Sequence, residues 1–178
     1  MKKYSVPKYF QSSVGHNSLD HYQSLRENAN QDSNSYWESV ANRIDWFDKW
    51  TTVNNTDYSK ARIEWFSNGK LNASYNCIDR HIENGFGEKI ALIWQSNDPT
   101  ISKNVTYNEL LEKVSLFANG LKRAGIKKGD RVCIYMQMIP EAIVAMLACA
   151  RIGAVHSVVF GAFSSDALKN RINDSECK

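Results

Sequence analysis

Apolar and polar positions follow two rhythms along this chain, and both are clearest between Lys127 and Ile172. Asp130 to Met136 is a short apolar run containing Val132, Ile134 and Tyr135, introduced by the turn signal Lys128-Gly129-Asp130, and it predicts a buried strand. Ile139 to Ile152 is apolar almost all round, with Pro140 and Glu141 suited to a first helical turn and Gly153 as a stop, and it predicts a buried helix. Ala154 to Phe160 is a second continuous apolar run. A strand, a packed helix and a strand imply a right-handed βαβ crossover in a parallel sheet. Beyond Gly161-Ala162-Phe163, Ser164 is a helix cap and Asp166 a first-turn acid for a last helix reaching about Asn173. The fold class is therefore α/β. In such sheets ligands bind off the carboxyl ends of the strands, which makes the turn from Phe160 to Ser165 a candidate binding segment.

Upstream the rhythm is weaker. Residues 1–17 are polar and turn-rich and predict a flexible arm. Ser18 caps a helix from Leu19 to about Asn28, with Leu19, Tyr22 and Leu25 on one face; Asn30 to Asn34 breaks it, and Ser33 or Asn34 caps a second stripe of Tyr36, Trp37, Val40, Ala41 and Ile44. Between Ile44 and Phe66, the rings of Trp46, Phe47, Trp50, Tyr58, Trp65 and Phe66 stand among polar residues without period, which predicts irregular structure anchored by aromatics. Ser74 caps a helix to about Glu83 that Gly85 and Gly87 close; Lys89 to Gln95 is a strand, and Ser96 to Asn104 a polar loop. Asn108 caps a longer helix whose core face is Leu110, Leu111, Val114, Phe117, Ala118 and Leu121, ended by Gly125. The chain thus divides into an arm (1–17), an N-terminal region (18–84) and the start of an incomplete α/β domain (85–178).

Composition narrows the function classes. The 178 residues are 43% hydrophobic and 23% charged, enough for one proper core. A net charge of +3 on dispersed lysines argues against nucleic acid or an anionic membrane as partner, and the aromatic cluster lacks the basic groove that base stacking requires. Cys77, Cys133, Cys149 and Cys177 form no CxxC pair, which reads as a reduced, cytoplasmic chain. Lys2 and Lys3 are followed by no apolar signal core, and the run at 139–152 is too short to span a bilayer. His16, His21, His81 and His156 show no metal-ligand spacing; His156 reads as a hydrogen-bonded core residue, His81 as part of a structural network, and Arg151 and Arg171 as surface or packing residues. No GxxxxGK[ST], GxGxxG or GxSxG pattern is present. Gly161 and Ser164 present amides at a helix start that either receive an anion or form an ordinary βα turn, and the ordinary turn is the simpler reading.

The run PEAIVAMLACARIGAVHSVVFGAFS, preceded by KKGDRVCIYM and followed by DALKNRINDS, closely resembles the AMP-forming acetyl-coenzyme A synthetases of the adenylate-forming ligase superfamily. RIDWFDKW, WFSNGKLNASYNCIDRH and IALIWQSND resemble the N-terminal portion of the same enzymes, in the same order, so the resemblance covers about residues 18–178. It implies an acetate–CoA ligase that uses ATP and Mg2+ to make an acyl-adenylate and then passes the acyl group to CoA, with propionate as the alternative carboxylate. Adenylation turns a poor leaving oxygen into a good one, while metal and basic groups offset charge on the departing pyrophosphate.

The resemblance also implies that the Ser/Thr/Gly-rich phosphate loop, the adenine and carboxylate pockets and the C-terminal domain with its catalytic lysine lie beyond Lys178. It assigns no catalytic or metal-binding residue within the chain and implies an inactive piece whose partner is a polypeptide carrying the remainder. One site transfers: Phe160, Gly161 and Ala162 resemble the place where the family packs the CoA nucleotide. Ala162 stands where the family usually has a second glycine and Gln137 where it usually has proline, and the added methyl crowds a ligand that approaches the backbone. A non-catalytic CoA-binding or protein-docking module is the alternative. An open sheet edge and an uncovered apolar face predict poor solubility or multimerisation.

Overall fold

The computed structural model describes residues 7–11 and 18–178. They form two compact units, one extending to Ile44 and resuming over Asp48–Lys70, the other made of Asp45–Phe47 with Leu71–Lys178.

The first unit contains helices α1 (Lys8–Gln11), α2 (Leu19–Gln31) and α3 (Ser33–Ala41) and strands β1 (Thr52–Asn54) and β2 (Trp65–Ser67). Apart from residues 7–11, the predicted arm lies outside the described residues, as does His16. Ser18 caps α2 as expected, its Oγ accepting from the His21 amide at 3.1 Å. The break before α3 is narrower than the pattern implied, and its cap is Asp32 rather than Ser33 or Asn34. The Asp32 amide closes α2 on Asn28 O, while its carboxylate accepts from the Ser35 amide at 3.0 Å and the Ser35 hydroxyl at 2.7 Å. A carboxylate takes several donors at once where a hydroxyl takes fewer, so it wins the position. The backbone and side-chain donors of Ser35 hold the Asp32 carboxyl below its ordinary value. The expectation of irregular structure from Ile44 to Phe66 is corrected in part: β1 and β2 pair antiparallel, Thr52 facing Ser67 and Asn54 facing Trp65. Three-residue strands are too short for alternation to show.

The second unit runs through α4 (Ala73–Cys77), α5 (Asp79–His81), a π turn over Ile82–Phe86, β3 (Ile90–Gln95), β4 (Ser102–Thr106), α6 (Tyr107–Arg123), β5 (Arg131–Met136), α7 (Pro140–Ile152), β6 (Val155–Phe160) and α8 (Ser165–Ser175). The single helix expected from Ser74 to Glu83 is broken at Ile78, whose φ of −128° is not helical and whose side chain is fully buried. Its cap is Asn72, not Ser74. The Asn72 Oδ1 accepts from the Tyr75 amide at 3.1 Å while Nδ2 donates to Ala150 O and Arg151 O at the end of α7, a double role suited to an amide, which carries an acceptor oxygen beside a two-proton donor.

The polar loop expected over 96–104 is shorter, because β4 returns antiparallel to β3 from Gln95 opposite Ser102 to Ile90 opposite Thr106. Its Ser-Lys-Asn start is exposed and carries no apolar signal. Thr106, not Asn108, caps α6 through a reciprocal box: Thr106 Oγ1 accepts from the Glu109 amide at 3.2 Å, and the Thr106 amide donates to Glu109 at 2.9 Å. Asn108 donates to Glu88 instead, at 2.7 Å.

The predicted βαβ unit is present. β5 and β6 pair in parallel from Arg131 opposite Val155 to Met136 opposite Phe160, and α7 connects them. Each strand begins just after a glycine in the left-handed region, Gly129 at φ 86° and Gly153 at φ 74°, and the Gly129 amide donates to Gly153 O at 2.9 Å. Ile78, Val105, Leu110, Val114, Ala118, Val144 and Ala148 form one buried cluster, and Ile134, Ala145, Cys149 and Ala154 a second beneath the parallel pair. His156 does not belong to the core; it is exposed on β6, a position that continuous apolarity did not distinguish from a covered one. The described strands form three separate two-stranded sheets, β1–β2 and β3–β4 antiparallel and β5–β6 parallel, and with the helices packed on them they give the α/β class that the pattern implied.

Candidate functional site

The carboxyl ends of β5 and β6 converge on the turn that leads into α8. Phe160 is the last residue of β6, and its carbonyl accepts from the Phe163 amide at 3.0 Å, closing a tight turn over Gly161 and Ala162. A side chain at Gly161 would be tight: a Cβ there would lie 3.2 Å from Met136 O, so the backbone would have to give by a few tenths of an ångström. The turn therefore lies close against the backbone at the end of β5. All four turn residues are exposed, Phe160 to 57% and Phe163 to 44%, and the two rings meet edge to face at 6.3 Å and 88°. The Arg171 guanidinium lies 5.3 Å from the centre of the Phe163 ring, one turn and more along α8. Ser164 caps that helix, its Oγ accepting from the Ala167 amide at 3.3 Å.

Phe160 and Phe163 also border an apolar cavity of about 520 Å³, whose walls include Trp94, Met136, Met138 and Met146. The Trp94 indole NH donates to Met138 O at 2.8 Å, fixing the ring at its rim. The arrangement suits a planar ring laid against exposed aromatic edges, with the amide end of α8 nearby for an anionic group.

The structure thus brings Phe160, Gly161, Ala162, Ser164 and Arg171 into one place. It does not bring the other candidates there. Arg151 makes a two-pronged pair with Asp79, both contacts 2.8 Å, and that partner's hydrogen bond raises the guanidinium pKa further. The His81 ring packs on Tyr107 at 5.0 Å. The feature that sequence reading missed is Tyr135, whose hydroxyl reaches Gly161 O at 3.1 Å and Phe163 O at 2.9 Å. Strand alternation held the signal, since Tyr135 must face away from Ile134 and Met136. Among the described residues no group of three or more His, Cys, Asp and Glu side chains is placed to hold a metal ion, and no helix is long and apolar enough to cross a membrane.

Comparison with known proteins agrees with this architecture. Residues 22–77 match the family described as acetyl-coenzyme A synthetase N-terminus, and residues 79–178 match the AMP-binding enzyme family. The chain is 54% identical over 160 residues to the acetyl-coenzyme A synthetase of Magnetococcus marinus, an alignment covering 89% of this chain and 25% of that protein. It is 48% identical over 178 residues to the acetyl-coenzyme A synthetase of Alkalilimnicola ehrlichii, covering 99% and 27%, and 50% identical over 157 residues to acetyl-coenzyme A synthetase 2 of Pseudomonas putida, covering 88% and 24%. The chain therefore spans about a quarter of the length of these relatives. With more than half its residues inside the matched region and the βαβ unit intact, the chain belongs to the AMP-binding enzyme family.

Proposed function

We propose that this chain forms the N-terminal part of a cytoplasmic acetate–CoA ligase of the AMP-forming type, which makes acetyl-CoA from acetate, ATP and CoA through an acetyl-adenylate, with propionate as the competing carboxylate. In this reading residues 18–84 are the synthetase-type N-terminal region and 85–178 the start of the AMP-binding domain. Its one contribution to a ligand site is the turn Phe160-Gly161-Ala162, which packs against the CoA nucleotide.

The observation that carries the reading is the exposed, tightly closed turn at the carboxyl ends of two parallel strands, in a chain about half identical to acetyl-coenzyme A synthetases. Phe160 offers an aromatic edge to the adenine ring, and Gly161 lets the turn lie close on the end of β5. The chain holds none of the patterns GxxxxGK[ST], GxGxxG and GxSxG, and the resemblance carries no catalytic residue onto it, so no chemical step is assigned to its own side chains.

The test is calorimetric titration of the chain with CoA, repeated with Phe160→Ala. Saturable binding that weakens about ten-fold or more in the variant is expected, and no heat up to millimolar ligand rejects the site. Acetate-dependent exchange of pyrophosphate into ATP should be undetectable with this chain alone. Measured exchange would overturn the assignment of no catalytic role.

A second reading is favoured by the 520 Å³ apolar cavity and by Met138 and Ile93, which are 75% and 76% exposed. Surface of this kind is normally covered. The proposed cover is a polypeptide equivalent to the remaining three quarters of the relatives. Mixing the chain with that portion of the Magnetococcus marinus protein should give a co-eluting complex, and separate elution rejects it.

A further inference from the structure

The residues of β5 that face away from α7 hold α8 at both ends. At the start of the strand, Arg131 donates from Nε to Ser175 O at 2.9 Å and from Nη2 to Glu176 O at 3.1 Å, gripping the carbonyls that end α8. Four residues on, the Tyr135 hydroxyl lies between Gly161 O and Phe163 O, the carbonyls that lead into the same helix. Between these grips α8 buries no residue completely, so its attachment leans on polar contacts more than on a sealed apolar face. Tyr135 pairs with Val159 across the parallel ladder; Val159 is 1% exposed, whereas Tyr135 is 42% exposed and its ring reaches along the surface to the turn.

We infer that Tyr135 is a positioning residue for the Phe160–Ala162 turn: its hydroxyl hydrogen, shared between Gly161 O and Phe163 O, presets the backbone that receives an adenine nucleotide. The nucleotide part of the inference rests on the proposed CoA site; the clasp itself does not. A tyrosine hydroxyl has one hydrogen and two acceptors compete for it, so both carbonyls are drawn toward the sheet, on the side occupied by the phenol ring. The Phe160 ring and Ala162 remain exposed to a ligand. Preorganisation of this sort lowers the ordering cost of binding without adding a contact to the ligand. The oxygen alone is required, since the ring would pack equally well without it.

The test uses the full chain with Tyr135→Phe and, at the same position, 4-aminophenylalanine, which restores a donor, and 4-methoxyphenylalanine, which does not. Amide hydrogen exchange is read over residues 160–165, with α6 as internal reference. Tyr135→Phe should speed exchange in the turn about five-fold while α6 is unchanged, the amino analogue should restore it, and the methoxy analogue should not. Unchanged exchange in the turn, or acceleration spread evenly through α6, overturns the clasp. Calorimetry with CoA is run on the same proteins. If the parent chain binds, Tyr135→Phe should weaken binding about five-fold and the amino analogue should recover it; equal affinity in all variants overturns the positioning role. If the parent chain does not bind CoA, the CoA reading falls, while the exchange result still decides the clasp.

Discussion

Ile78, Val105, Val114 and Ala148 of the second unit are sealed from water around α6 and α7, whereas in the first unit Ala41 is the one buried hydrophobic residue among those described. Order in the first unit comes from ring edges: Tyr36 on Trp37 at 5.3 Å, Trp37 on Trp65 at 6.1 Å and Trp50 on Phe66 at 5.1 Å. Short polar links add to these, among them the Asp32 cap, the Asp57 turn and the Asp48–Lys70 pair at 2.8 Å. Burial is non-directional and scales with area, while edge contacts and polar links are directional and individually small. The two units should therefore answer differently to the same kind of damage.

The largest effect is expected where burial is complete. Ile78→Ala should destabilise the second unit by about 3–4 kcal/mol in denaturant unfolding, because the side chain sits at a helix break that cannot collapse to fill the cavity. A loss below about 1 kcal/mol would break the contrast between the units. Next is Asp79→Asn, which leaves Arg151 partly buried without its carboxylate; side-chain exposures of 29% for Arg151 and 17% for Asp79 place the expected loss at about 2 kcal/mol. Trp65→Ala in the first unit should cost about 1–2 kcal/mol and remove most of the near-ultraviolet dichroism contributed by its pairing with Trp37.

The smallest effect is a pH dependence. The side-chain hydrogen bond from Ser59 lowers the Asp57 carboxyl, the Ser35 backbone amide lowers Asp32, and the Lys178 ammonium at 2.7 Å lowers Asp130. A carboxyl whose folded pKa is depressed contributes stability above its unfolded value of about 3.9 and loses it as pH falls through the folded value. Both units should thus be indifferent to pH between about 5 and about 8 and weaken below about 4. The first, with less burial in reserve, should lose its tryptophan signal before the helical signal of α6 and α7 declines. The reverse order would show that directional contacts hold more firmly than the buried cluster.

The same contrast explains what could be read in advance. The βαβ unit, the start and stop of α7 and the Ser164 cap were legible because continuous apolar runs bounded by proline and glycine report burial directly. β4 was not, since three of its five residues are exposed and polar, and neither was the β1–β2 pairing, which three-residue strands cannot encode as a period. Caps failed where two candidates stood within a few residues: Asp32 over Ser33 and Asn72 over Ser74, where the winning side chain also met a second partner, and Thr106 over Asn108, where the Thr106 amide donates back to Glu109. The turn Phe160-Gly161-Ala162 could be located by its place after an apolar strand, but its link to Tyr135 joins residues 26 and 28 positions apart and leaves no local mark.

The paired glycines ahead of β5 and β6 give folding a direction. Gly129 and Gly153 meet through one hydrogen bond at the amino ends of both strands, and Val155 donates to Asp130 O at 2.8 Å just beyond, so the register is set before any ladder contact at the far end is made. Two parallel strands separated by a helix lose loop entropy once, at their first contact, and each later rung closes cheaply. A ladder that zips from the glycines toward Met136 and Phe160 would leave the turn after β6, the proposed binding site, as the last part of the unit to assemble; later protection of residues 160–163 than of 155–156 in pulsed hydrogen exchange is the expected outcome.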